Sequence, residues 1–186
     1  MTAKSHMLSI GIFTLLPLSY FGESIYSNSG IDTTVKYGAF VFFMLLGSIL
    51  PDIDEPGSKI GRAVPAAIPH IIKALFGHRG ITHTVAFLLP WIIAYYFSEG
   101  VFKIAMLGIL LGSVSHILGD MLTKGGVINL FYPFTPNTTF GLLPKSLRFY
   151  TSSLTEVLFV RPALLIVFLF SVYRNITVYF NQDFLF

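Results

Sequence analysis

The alternation of apolar and polar positions divides the chain into five apolar stretches, at residues 7–21, 37–50, 81–97, 101–122 and 157–173, with glycine and proline clusters falling mostly between them. Runs of this length without a two-residue alternation predict helices rather than strands. A helix needs about 20 residues to cross the hydrocarbon core of a bilayer. The last three stretches come nearest to that length. The first two reach it only if their helices extend through flanking polar residues or tilt into a thin region. The first stretch could be taken for a secretory signal, but the PLSYFGESIY that follows, residues 17–26, offers no small-residue cleavage site, so a retained helix is expected. The pattern predicts an all-α integral membrane protein: a bundle of about five transmembrane helices in a single domain over residues 1–186, without internal repeat or polar linker.

Composition strengthens that picture. Of the 186 residues, 54% are hydrophobic and 11% charged, and the mean hydropathy is +0.74, more apolar surface than a soluble core requires. A net charge of +3 is too small to argue for nucleic acid, so the partner expected is the lipid bilayer. There is no cysteine, which excludes disulfides and thiolate metal sites and leaves only nitrogen and oxygen ligands for any metal. Basic residues distribute unevenly. With Lys4 on the cytoplasmic side, alternation of spans puts Lys59, Arg62, Lys73, Arg79, Lys124, Lys145 and Arg148 there too, against Lys36, Lys103 and Arg174 on the opposite face, with Arg161 near the start of the last span. This asymmetry predicts a cytoplasmic amino terminus and an outside carboxyl terminus.

The same topology gathers the candidate chemistry. His6 precedes the first span, Asp52 and Asp54 end the second, His78 and His83 introduce the third, and His116 and Asp120 close the fourth, so all of them fall at cytoplasmic ends. His116 and Asp120 are four residues apart and share a helical face with Gly108 and Gly112, small residues that let a neighbouring helix approach. His78 is expected in the lead-in to the third helix and His83 in its first turn. Each residue also has a plainer reading: Asp52 as a helix terminator, His6 as a solvated end, His83 and His116 as satisfied interhelical histidines, Thr82 and Ser115 as interhelical or capping hydroxyls, Arg79 and Lys73 as topological charges. Their shared level favours a metal site. Imidazole and carboxylate ligands without sulfur suit Zn²⁺ or Mn²⁺, with enough of them for two ions. His70 lies outside this set and is assigned to structure or interface.

The segments MTAKSH, LLGSILPDIDEPGS, FGHRGITHT, SHILGDMLTKGG and FGLLP resemble the YdjM-like family of bacterial inner-membrane proteins, to which metal-dependent hydrolysis is attributed. The family in turn looks similar to zinc-dependent phospholipase C and P1-type nucleases. The resemblance implies that His6, Asp52, His78, His83, His116 and Asp120 are metal ligands, with Asp54 and Arg79 close to the site. Glu55 stands where the family often has His, and Lys124 where it often has Pro, so neither is given a role.

Together these readings predict a hydrolase of the bacterial inner membrane in which a metal-activated water attacks a phosphoester of a phospholipid or other amphiphile. Arg79 is expected to stabilise phosphoryl charge, and Asp54 to orient a histidine or take a proton. The alternatives are a metal-ion transporter, although such sites usually lie nearer the midplane, and a scaffold closed by a structural metal. Residues 127–150, rich in aromatics and prolines, read either as an interfacial anchor or as a cover over the site.

Overall fold

The computed structural model describes residues 1–21, 33–135 and 138–182. Part of the 17–26 segment and the carboxyl end at 183–186 therefore lie outside the described residues. The first helix is α1 (Ala3–Ile10) continued through a wide turn at Gly11–Leu15 into α2 (Leu16–Phe21). It is followed by α3 (Thr33–Gly47), a tight turn at Leu50–Asp54, α4 (Ala67–Phe76), a second tight turn at Ile81–His83, α5 (Val85–Phe97) and α6 (Gly100–Asp120). A two-stranded antiparallel ribbon, β1 (Val127–Ile128) with β2 (Thr139–Phe140), precedes a last helix that opens with a wide turn at Glu156–Val160 and continues as α7 (Arg161–Gln182).

Two helices, Gly100–Asp120 and Glu156–Thr177, are long and apolar enough to cross a membrane, each with a mean hydropathy of 1.9. The apolar helices at Val35–Gly47 and Val85–Phe97 are shorter. The third apolar stretch begins its helix at Val85 and not at residue 81, so His83 precedes α5 and does not occupy its first turn. Thr84 takes the extended backbone usual for a residue entering a helix, and Val85 N–H, left free by the helix start, donates to Leu130 O at 2.8 Å. The second stretch ends its helix at Gly47 and turns before Asp52. The connection after it contains α4, whose period of 3.6 was hidden by its brevity.

Helix α6 sits at the centre. Gly108 and Gly112 face α3: a Cβ at Gly108 would lie 2.7 Å from Phe40 O, and one at Gly112 would run into Met44 O, while Gly47 presses in return on the backbone of Ile109. The small-residue stripe therefore works as expected, by letting two backbones meet. Ile10, Leu15, Phe40, Met44 and Ile104 form the core around this contact. The wide turn in the first helix is braced by α7, with Ser171 Oγ donating to Gly11 O at 3.0 Å and Asn175 Nδ2 to Leu15 O at 2.8 Å. Glu156, given no role by the sequence, is fully buried and accepts from Thr2 N at 2.8 Å, Thr2 Oγ1 at 2.9 Å and Ser152 N at 2.6 Å. It ties the segment that carries His6 to the start of the last helix.

Candidate metal centre

Four elements deliver the candidate ligands. The Leu50–Asp54 turn brings Asp52, the Ile81–His83 turn brings His83, and the last turns of α6 bring His116 and Asp120, while α1 adds His6. His6, His83, His116 and Asp120 are fully buried, which for polar side chains demands partners.

The partners of the two central imidazoles define their tautomers. His116 Nδ1 lies 2.7 Å from Ser48 O, a carbonyl that can only accept, so the proton of His116 is on Nδ1. Thr82 Oγ1 donates to Asp54 Oδ2 at 2.9 Å and therefore accepts from His83 Nδ1 at 3.0 Å. Both Nε2 atoms are left as bare lone pairs, and they face each other at 3.2 Å. Around them stand two carboxylate oxygens. Asp120 Oδ2 is 3.5 Å from His83 Nε2 and 3.8 Å from His116 Nε2. Asp52 Oδ1 is 3.6 Å from His116 Nε2 and 3.8 Å from His83 Nε2. Ligand atoms at about 2.0–2.1 Å from a tetrahedral ion are separated by about 3.3 Å, so these separations fit a divalent cation closely. Asp120 Oδ2 is buried and has no hydrogen-bond partner among the described residues, a demand that a bound cation would meet.

His6 belongs to a second arrangement. One ligand atom each from His6, His116 and Asp120 falls within 4.8 Å, as does one each from Asp52, His83 and His116. Yet the His6 and His116 rings stack at 3.6 Å between centroids and 9° between planes. A cation lies near the plane of the imidazole that holds it, so two parallel stacked rings do not share one. His6 turns instead to the other oxygen of Asp120, with Nε2 3.3 Å from Oδ1 but outside hydrogen-bond geometry, and neither of its ring nitrogens has a partner. The same oxygen is met by Arg79 Nη2 at 3.0 Å and by the α-amino group of Met1.

The structure thus brings together His6, Asp52, His83, His116 and Asp120, but it does not bring His78 into either ligand set. His78 Nδ1 donates to Asp54 Oδ1 at 3.1 Å, and its ring stands 6.1 Å from that of His83. That hydrogen bond raises the His78 pKa against the burial that lowers it. Burial works against the charged form of Asp54, but the His78 hydrogen bond, the nearby His83 and the Thr82 hydroxyl together hold its carboxyl below the usual range. Asp54 also accepts from Arg79 N at 2.8 Å. It is an organiser of the Gly77–His83 segment, and Thr82, which the sequence suggested only as a capping or interhelical hydroxyl, is its link to His83. A hydroxyl one residue before a candidate ligand histidine was the only available signal.

Arg79 is held in a left-handed backbone conformation at φ 60°, unusual for a residue with a side chain. Its Nη1 donates to Gly126 O at 2.9 Å, so the guanidinium bridges Asp120 and the loop after α6. Glu55 pairs with Lys73 at 2.6 Å and Lys124 lies over the Tyr150 ring, and neither is in a ligand set. His70 is bonded to Ala66 O on the surface. A cleft of about 340 Å³ opens beside the ligands, lined by Asp52, Glu55, Lys59, Arg62, His78 and Arg79 among others. None of the described residues between 127 and 150 lines it.

Fold and site define a helical membrane protein with a buried histidine and aspartate cluster able to hold a metal ion. The chain belongs to the family described as YdjM inner membrane protein, whose model matches residues 1–183. It is 41% identical over 87 residues to the inner membrane protein YdjM of Escherichia coli (strain K12), covering 45% of this chain and 44% of that relative. The match thus spans less than half of that relative's own length. It is 29% identical over 148 residues to the Bacillus subtilis (strain 168) protein named "Uncharacterized protein YvsG", covering 78% of this chain and 82% of the relative. No solved structure matches.

Proposed function

We propose that the protein is a membrane-bound metal-dependent hydrolase acting on a phosphoester of a lipid or other amphiphile at the cytoplasmic face of the inner membrane. The observation that carries this reading is the pair of bare Nε2 lone pairs of His83 and His116, 3.2 Å apart and flanked by carboxylates that can only accept. Such a set repels itself unless a cation lies within it. Asp52, His83, His116 and Asp120 Oδ2 would hold a divalent ion, Zn²⁺ or Mn²⁺, and a second would take His6 Nε2 with Asp120 Oδ1 only in place of the Met1 amino group and Arg79 now on that oxygen. A divalent cation there supplies a Lewis acid that activates water and neutralises phosphoryl charge.

The remaining steps fall to the chain. His78, lining the cleft and held by Asp54, is placed to give a proton from its ring to the leaving group. Arg79 fixes Asp120 and lines the cleft, where Lys59 and Arg62 add positive charge for an anionic substrate. The test is a screen of phosphomonoester and phosphodiester lipids with added Zn²⁺ or Mn²⁺. Chelator-sensitive release from at least one class is expected. Failure of every class overturns the hydrolase.

Five spans with the amino terminus inside complete the proposal, supported by the distribution of basic residues. Reporter fusions at Glu99 and after Phe186 are expected to read as outside, and fusions within residues 56–73 as inside. A cytoplasmic carboxyl terminus would mean that a span is miscounted, and the ligands would then not share one side.

A further inference from the structure

The turn between α4 and α5 borders two cavities of opposite character. His78 and Arg79 line the polar cleft, whereas Phe76, Gly80 and Ile81 line a separate groove of about 160 Å³, closed by Leu75, Tyr132 and Asn129 among others. No lining residue is shared. The sequence FGHRGI forces this division. Gly77 and Arg79 both adopt positive φ, and a Cβ at Gly80 would run into Phe76 O, so the chain reverses tightly between the two cavities.

The groove has no charged side chain, unlike the cleft with its Lys59, Arg62 and Arg79. Its one unsatisfied polar atom is Asn129 Oδ1, buried and without a hydrogen-bond partner. The surface around it is apolar: α4 exposes Ile71 (57%) and Leu75 (69%), and the ribbon loop exposes Phe131, Tyr132 (50%) and Phe134 (86%). In an inner membrane protein such a surface lies in lipid. A groove of about 160 Å³ is small beside the roughly 300–1,000 Å³ of sites that hold a whole drug-sized ligand, so it suits one chain segment and not an entire lipid.

The geometry points to a divided amphiphile site, in which the phosphate headgroup occupies the cleft and a single hydrocarbon chain occupies the groove of Leu75, Phe76, Ile81 and Tyr132. The groove has room for one chain, so the occupant is a single-chain phospholipid. This inference rests on the hydrolase reading for the headgroup and adds the chain.

The test compares two probes that share a phosphate monoester, palmitoyl lysophosphatidate and glycerol 3-phosphate, binding to the full-length protein in neutral mixed micelles. Leu75→Gln combined with Tyr132→Ser alters exposed groove walls and no metal ligand. The double variant is expected to bind lysophosphatidate about 10-fold more weakly, equivalent to about 1.4 kcal/mol, with glycerol 3-phosphate binding and metal content unchanged. Equal affinity of the wild type for both probes, an equal effect of the variant on both, or no effect on either overturns the inference. A chelator separates it from the reading beneath. If the variant still weakens lysophosphatidate binding and spares glycerol 3-phosphate while metal removal leaves headgroup binding untouched, the groove stands and the metal-dependent headgroup site falls.

Discussion

A variant carrying His83→Ala and His116→Ala is expected to lose the transition metal that the wild type retains through purification. Both imidazoles are fully buried and present Nε2 to the same point, so their removal leaves only Asp52 and Asp120 around a hole that water must fill. Loss of a single outer hydrogen-bond partner costs about 10–100-fold in metal affinity, and loss of two direct ligands costs more. Thr82→Val isolates the outer effect. It keeps the shape but removes the hydroxyl between His83 Nδ1 and Asp54 Oδ2, freeing the imidazole to change tautomer. Its affinity should fall by about 10-fold or more, within the range given for outer partners. Elemental analysis of the purified proteins reads the first effect and competition with a chromogenic chelator the second. Equal metal in the wild type and the double variant would remove the metal centre.

How far the sequence reaches depends on the physics behind each residue. The meeting of His6, Asp52, His83, His116 and Asp120 was legible because each lies at or next to the end of an apolar stretch, and because His116 and Asp120 are one helical turn apart. The Gly108 and Gly112 stripe was legible for the same reason. What escaped was side-chain direction in irregular turns. His78 and His83 look equivalent in HRGITH, yet Gly77, Arg79 and Gly80 bend the chain so that His83 turns inward and His78 outward to Asp54. Glu156 escaped because its role depends on contact with Thr2, far away in sequence. Helix α4, at Ala67–Phe76, is too short to look like a span.

Arg79→Lys and Asp120→Asn should fail in ways that can be told apart, although the two side chains touch. Arg79 reaches Gly126 O with Nη1 and Asp120 Oδ1 with Nη2 at once, and lysine, with one nitrogen, keeps the charge but cannot span both. It would also lose the planar donors aimed at a phosphoryl group. Turnover on the preferred substrate should fall about 10-fold, corresponding to about 1.4 kcal/mol of transition-state stabilisation, while membrane insertion and metal content stay unchanged. Asp120→Asn keeps an oxygen for Arg79 but replaces a carboxylate ligand with a neutral amide, so it weakens metal binding directly. Raising Zn²⁺ or Mn²⁺ should therefore restore part of the activity of Asp120→Asn and none of that lost in Arg79→Lys. Metal rescue of both would mean that Arg79 acts only by positioning Asp120. Full activity of Arg79→Lys without added metal would leave Arg79 as one more positive charge on the cytoplasmic side, which lysine supplies equally well.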